Sequence, residues 1–110
     1  MSYQHKDLAA GRWRELSFFE QMANIGSEVE RAFDWRAKKN AGYSQKAFER
    51  TLELIDLTLE NIKNTAHFKE ITRTREAIVD HFFGTNQFMS TENSWRSYFS
   101  HFIYAARKNY

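Results

Sequence analysis

Apolar residues recur along this chain at alternating three- and four-residue spacing, not at every second position. Leu16, Phe19, Ala23, Gly26 and Phe33 follow that rhythm, flanked by Phe18, Met22, Ile25, Val29 and Ala32. The result is a wide apolar face at helical period, and it predicts a first helical stretch from about Asp7 to Lys39. Within it, Ser17-Phe-Phe-Glu20 has the form of a capping box, in which hydroxyl and carboxylate each satisfy an otherwise unbonded N–H. The stretch is therefore either one continuous rod or a helix that restarts at Ser17 after a separate N-terminal turn.

Asn40-Ala41-Gly42 reads as a stop signal. Ser44 is then the expected cap of a second helix, with Tyr43 and Phe48 as its hydrophobic staple. The apolar stripe of that helix is Phe48, Leu52, Ile55, Leu59 and Ile62, and the polar run from Asn61 to Thr65 turns the chain. A third helix carries Phe68, Ile71, Ile78 and Phe82 and ends at Gly84. Thr85 to Met89 forms a loop, and Ser90 or Thr91 caps a last helix whose stripe is Trp95, Tyr98, Phe99, Phe102 and Ala106. Ile71-Thr72-Arg73-Thr74 is the most strand-like stretch but sits inside a helical pattern. No internal repeat or composition shift divides the chain. The expected fold is one all-α domain over residues 1–110, an up-and-down antiparallel four-helix bundle.

Composition supports the helical reading. The 110 residues include no proline, which is welcome in turns and edge strands but breaks helix interiors. Ten Phe and three Trp supply large side chains for a small core, and the aromatics outside the seams, Trp13, Trp35, Phe83, Phe88 and Tyr104, read as surface left over for a partner. With no cysteine, disulfides, thiolate metal sites and cysteine nucleophiles are absent from the sequence. The first seven residues lack a signal-peptide apolar core, and no apolar run approaches the ~20 residues of a bilayer span. The cytoplasm is the expected location, with no membrane association. A formal charge of +2 is near neutral, so the placement of charge matters more than its sum.

Several polar positions stand out. Asn24, Ser27, Glu28 and Arg31 share one helix face beside the apolar stripe; they form either a binding edge or a simple boundary with a Glu28–Arg31 contact. Gly26 inside a helix costs about 1 kcal/mol relative to alanine, and close helix approach is the usual reason for one. Arg75 falls on the seam Ile71–Arg75–Ile78–Phe82. If inward, its guanidinium needs a carboxylate, for which Glu28 is the candidate across the bundle centre and Glu53 or Asp56 the reserves. If not, its stem packs and its head reaches solvent.

Two Arg–His pairs, Arg75 with His81 and Arg96 with His101, resemble the loose motif of HEPN-class RNases. In that chemistry the arginine stabilises a phosphate and the histidine transfers a proton. So open a spacing also recurs by chance in a chain of this composition. Paired Glu-x-x-His motifs for a di-metal centre are missing, as are phosphate-binding glycine loops. No metal or cofactor is expected. Finally, Arg31, Arg36, Lys38 and Lys39 close the first helix while Lys46 and Arg50 open the second. Together they make a basic end with Trp35 as a stacking surface, suited to RNA or DNA. Cations at a helix C-terminus answer the macrodipole, but those at the next N-terminus do not.

The segment Met22-Ala-Asn-Ile-Gly-Ser-Glu-Val-Glu-Arg31, with Ala47-Phe-Glu-Arg-Thr-Leu-Glu-Leu-Ile55, resembles a bacterial four-helix-bundle family. Its members are proteins encoded in ribosomal-RNA intervening sequences and the accessory variability determinants of diversity-generating retroelements. Asn24-Ile25 follows the family's pattern and Gly26-Ser27-Glu28 departs from it. The resemblance implies a non-enzymatic bundle that assembles as a ring, with retroelement members using a basic surface for reverse transcriptase and nucleic acid. From residues and resemblance together, the expected function is a non-enzymatic binding or scaffold module. It is expected to be homo-oligomeric, with a protein partner or an accessory role beside a nucleic-acid-handling protein; a HEPN-type RNase is the alternative.

Overall fold

The Ser17 hydroxyl accepts from the Glu20 N–H at 3.1 Å, and the Glu20 carboxylate accepts from the Ser17 N–H at 2.9 Å. This reciprocal cap starts a new helix, so the chain breaks at Ser17 and the continuous-rod alternative falls. The computed structural model describes residues 11–108. Within them, a 3-10 turn at Arg12–Glu15 precedes four helices: α1 (Phe18–Ala37), α2 (Ala41–Asn61), α3 (Thr65–Phe83) and α4 (Glu92–Lys108). The described residues contain no strand. Residues 7–10 of the expected first stretch lie outside the described residues.

The turn between α1 and α2 corrects the expected caps. Asn40 closes α1 by donating its N–H to the Trp35 carbonyl, and it caps α2 by accepting from the Tyr43 N–H at 3.0 Å. Ser44 lies inside α2, buried, with its hydroxyl donating to the Ala32 carbonyl of α1 at 2.8 Å. Tyr43 points outward and is half exposed, so it forms no staple with Phe48. Asn64 caps α3 in the same way through the His67 N–H, and Thr91 caps α4 through the Ser94 N–H.

α1 packs along both α2 and α4, while α3 rests chiefly on α2. Met22, Ile25, Val29, Ala32 and Phe33 of α1 meet Ala47, Phe48, Leu54 and Ile55 of α2 and Trp95, Phe99 and Phe102 of α4 in one core. Each fully buried large side chain of this kind contributes about 1.5–3 kcal/mol. At Gly26, α1 and α4 approach so closely that a Cβ there would lie 2.6 Å from Phe99 Cβ.

The seam of α2 differs from its expected stripe. Leu52, Leu59 and Ile62 sit at the core margin, whereas Thr51 and Thr58 are buried. Their hydroxyls donate to the carbonyls of Ala47 and Leu54 one turn back, which leaves the methyl groups free to pack. Trp13, which reads from sequence as spare surface, is 1% exposed. Its indole N–H donates to Thr58 Oγ1 at 3.0 Å, and its carbonyl accepts from Gln21 at 2.9 Å. In α3 only Ile71, Thr74 and Ile78 are buried, and Phe68 is half exposed. No helix among the described residues is long and apolar enough to cross a membrane.

Candidate nucleic-acid interface

The short turn after α1 folds the start of α2 back beside the end of α1, and this brings cations and aromatic rings together. Trp35 and Tyr43 meet edge to face with centroids 4.8 Å apart. Lys38 Nζ lies 5.1 Å from the Trp35 centroid and Lys46 Nζ lies 5.9 Å from that of Tyr43. The Arg36 guanidinium sits 5.8 Å from the Phe82 ring of α3. Among the described residues, Arg36, Lys38, Lys39 and Lys46 form no ion pair. Lys38 and Lys39 suit the negative end of α1, but Lys46 near the N-terminus of α2 faces the unfavourable end of that helix. Its position is not explained by helix electrostatics.

A groove of about 260 Å³ opens next to the turn, lined by Arg36, Lys39, Gln45, Phe48, Phe82 and Phe83 among others. Nothing in the sequence marks the part played by Tyr43, Gln45 and Phe82: Tyr43 reads as a staple, and Phe82 as the seam of a helix far away in sequence. Phe83 shows there only as one of the aromatics outside the seams.

Two members of the expected basic cluster are diverted. Arg31 Nη1 and Arg50 Nε bond the two carboxylate oxygens of Glu28 at 2.7 and 3.1 Å. Glu28 is buried, and its bond to Arg50 clamps α1 to α2 while Arg31 answers it from the next turn of α1, so neither arginine keeps a fully uncompensated charge. The expected Glu28–Arg75 pair does not form. Glu28 faces α2, which supplies its partner, and Arg75 instead bonds Asp56 at 3.0 Å with both side chains about two-fifths exposed. Arg75 is therefore not part of a polar core.

The Arg–His pairs also separate. Arg75 is held by Asp56, whereas His81 Nδ1 lies 3.0 Å from Ser90 Oγ and the imidazole edge meets Phe33 at 5.7 Å. Arg96 bonds Asp34, Glu92 and Glu30 at 3.0, 2.9 and 3.5 Å, and His101 is exposed. The hydrogen bonds to Asp34 and Glu92 push the Arg96 pKa above the ordinary arginine value, so its charge is fixed and already answered. An arginine surrounded by three carboxylates is a poor phosphate ligand.

Asn24 and Ser27 donate to carbonyls of their own helix, of Glu20 and Ala23. They border a shallow depression against Ile103 and Arg107 of α4, and no charged group converges there except Glu20 and Arg107. Among the described residues, no group of three His, Asp or Glu is arranged to hold a metal ion. Compared with protein-family models, characterised proteins and solved structures, the chain finds no match, so the basic, aromatic end is read from its own chemistry.

Proposed function

We propose that this chain is a non-enzymatic binding module, an up-and-down antiparallel bundle that engages single-stranded nucleic acid through the α1–α2 end. The supporting observation is the Trp35–Tyr43 pair with Lys38 and Lys46 over its rings, beside Arg36 and Lys39. Unpaired cations supply backbone attraction, and aromatic faces accept bases without sequence preference. The short turns at 38–40 and 62–64 favour the up-and-down topology. The adjacent exposed Phe88 and Met89 support a homo-oligomer or a larger protein partner in the cytoplasm, since contiguous apolar surface gains by being covered. The RNase alternative is not taken up, because Arg75 and His81 engage different neighbours.

Fluorescence anisotropy with a labelled oligothymidine strand tests this reading. Affinity should fall with salt at a log–log slope of about −2 to −3, four cations at about −0.7 each. The double variant R36A/K39A should flatten the slope, while R73A on the exposed face of α3 leaves it unchanged. Absent or salt-independent binding overturns the proposal. Light scattering decides the oligomer, and a strict monomer removes that part.

A further inference from the structure

The groove beside the turn has walls of a particular chemistry. Phe48 is buried at its base and meets Phe82 at 4.5 Å and Phe83 at 4.7 Å. Phe83 stands at 87° to Phe48 and remains 61% exposed, so one ring face is left for a further aromatic partner. At the mouth stand Arg36 and Lys39. Lys39 holds a left-handed backbone at φ 61°, fixed by its N–H to the Arg36 carbonyl and by the Asn40 N–H to the Trp35 carbonyl. Its backbone is thus set in place by the turn. Gln45 contributes an amide whose one bond, to Glu49, is long at 3.4 Å and easily exchanged.

An apolar ligand has no use for the two cations, and a bare anion has no use for the aromatic wall. A flat ring carrying a phosphate uses both. The volume, about 260 Å³, lies just under the range of about 300–1,000 Å³ typical of drug-sized ligands, which suits one ring system and excludes a folded chain. We infer that the groove is a socket for a single nucleobase. The base stacks on Phe83, its edge meets the Gln45 amide, and its phosphate is held by Lys39 and Arg36. The source is a base turned out of the bound strand and not a free nucleotide, because Trp35, Tyr43, Lys38 and Lys46 continue the same aromatic and basic chemistry beyond the mouth. This inference rests on the reading of the α1–α2 end as a nucleic-acid surface.

The test uses the full chain with three probes: an oligothymidine strand, the same strand carrying abasic residues, and thymidine monophosphate as competitor. Removing the bases should weaken binding more than about tenfold, because the stack on Phe83 is lost together with those on Trp35 and Tyr43. F83A should weaken the intact strand about tenfold, the loss of one stack, and leave the abasic strand unaffected. F83W, which keeps a stacking face, should bind as the native chain does. The 61% exposure of Phe83 makes all these variants foldable, and a thermal melt checks it. If F83A weakens both strands alike, or neither, the socket is overturned while the nucleic-acid reading of the end stands. Competition by the mononucleotide as effective as that by the strand overturns the assignment to a strand. If the intact strand does not bind, the underlying reading falls first.

Discussion

The α1–α2 side and α3 are built from the same kinds of contact, yet burial gives those contacts different weight. Between α1 and α2, Glu28 is 8% exposed at its side chain and answers both Arg31 and Arg50. Against α3, Asp56 is 43% exposed and, among the described residues, answers Arg75 alone. Both are charge-assisted pairs near 3 Å. The first is the stronger because losing an arginine leaves the buried Glu28 carboxylate short of a partner, and the second is nearly neutral because water replaces whatever is lost. The apolar contacts divide in the same way. α1 contributes a continuous buried stripe, whereas α3 buries two isoleucines and a threonine and leans on partly buried rings, such as the His67–Phe18 stack at 3.9 Å.

The sharpest test of that contrast is Trp13→Ala. It removes a fully buried ring and leaves Thr58 without its indole donor, at an expected cost of about 3–5 kcal/mol by chemical denaturation. A loss below 1 kcal/mol would mean that the α1–α2 side is no tighter than α3. Next comes Glu28→Ala, which takes the buried acceptor from the part-buried Arg50 and should cost about 2–3 kcal/mol, against less than about 1 kcal/mol for Asp56→Ala. Equal losses would erase the distinction between the two pairs. Gly26→Ala follows at about 2 kcal/mol net. The helix-propensity gain of about 1 kcal/mol is outweighed, because the new methyl overlaps Phe99 at its own Cβ, where a side-chain rotation gives no relief. A stabilised variant would show that α4 gives way easily.

The smallest expected effect lies between α3 and α4. Tyr98 donates to Glu70 at 2.9 Å and meets Thr74 at 3.0 Å. Burial, first, and then the Glu70 carboxylate raise the Tyr98 pKa well above its ordinary value of about 10. The folded state therefore holds the phenolic proton more tightly than the unfolded chain does. Stability from this group is complete below about pH 10 and falls as the pH climbs beyond it. Tyr98→Phe should flatten that alkaline limb of a melting-temperature profile, and an unchanged limb would assign it to other tyrosines or lysines.

Features governed by neighbours in sequence were legible. The Ser17 capping box, the Gly26 approach and the Glu28–Arg31 contact each depend on residues within a turn, or on a cost that only close packing explains. Features governed by distant residues were not. Nothing near Trp13 reveals that Thr58, 45 positions away, accepts its N–H. Arg50 as the second partner of Glu28 follows from which helix lies alongside, and so does the choice for Arg75 of Asp56, which the sequence offers only as a reserve, over Glu28. Ser44 and Asn40 are both good caps, and the choice between them was made by the Ala32 carbonyl on another helix. The buried threonines were hidden for a chemical reason: a hydroxyl bonded to its own helix packs like valine, while hydropathy counts it as polar. At the candidate site the cations were legible, apart from Arg31 and Arg50, and the aromatic wall from α3 was not.

The polar links between α1 and α2 also restrict how the two helices can slide. Apolar stripes alone tolerate a shift of one helical turn, about 5.4 Å, because each large side chain finds a similar hollow one step along. Here Ser44 to the Ala32 carbonyl, Arg50 to Glu28, and Trp13 to Thr58 are spaced along the length of the hairpin. A one-turn slip would break all three at once, taking Arg50 from the buried Glu28 carboxylate and leaving the Ser44 hydroxyl and the Trp13 indole N–H buried without their acceptors. The three bonds act as teeth of a key, so that the hairpin has one register, and misaligned pairings are penalised while the chain is still folding.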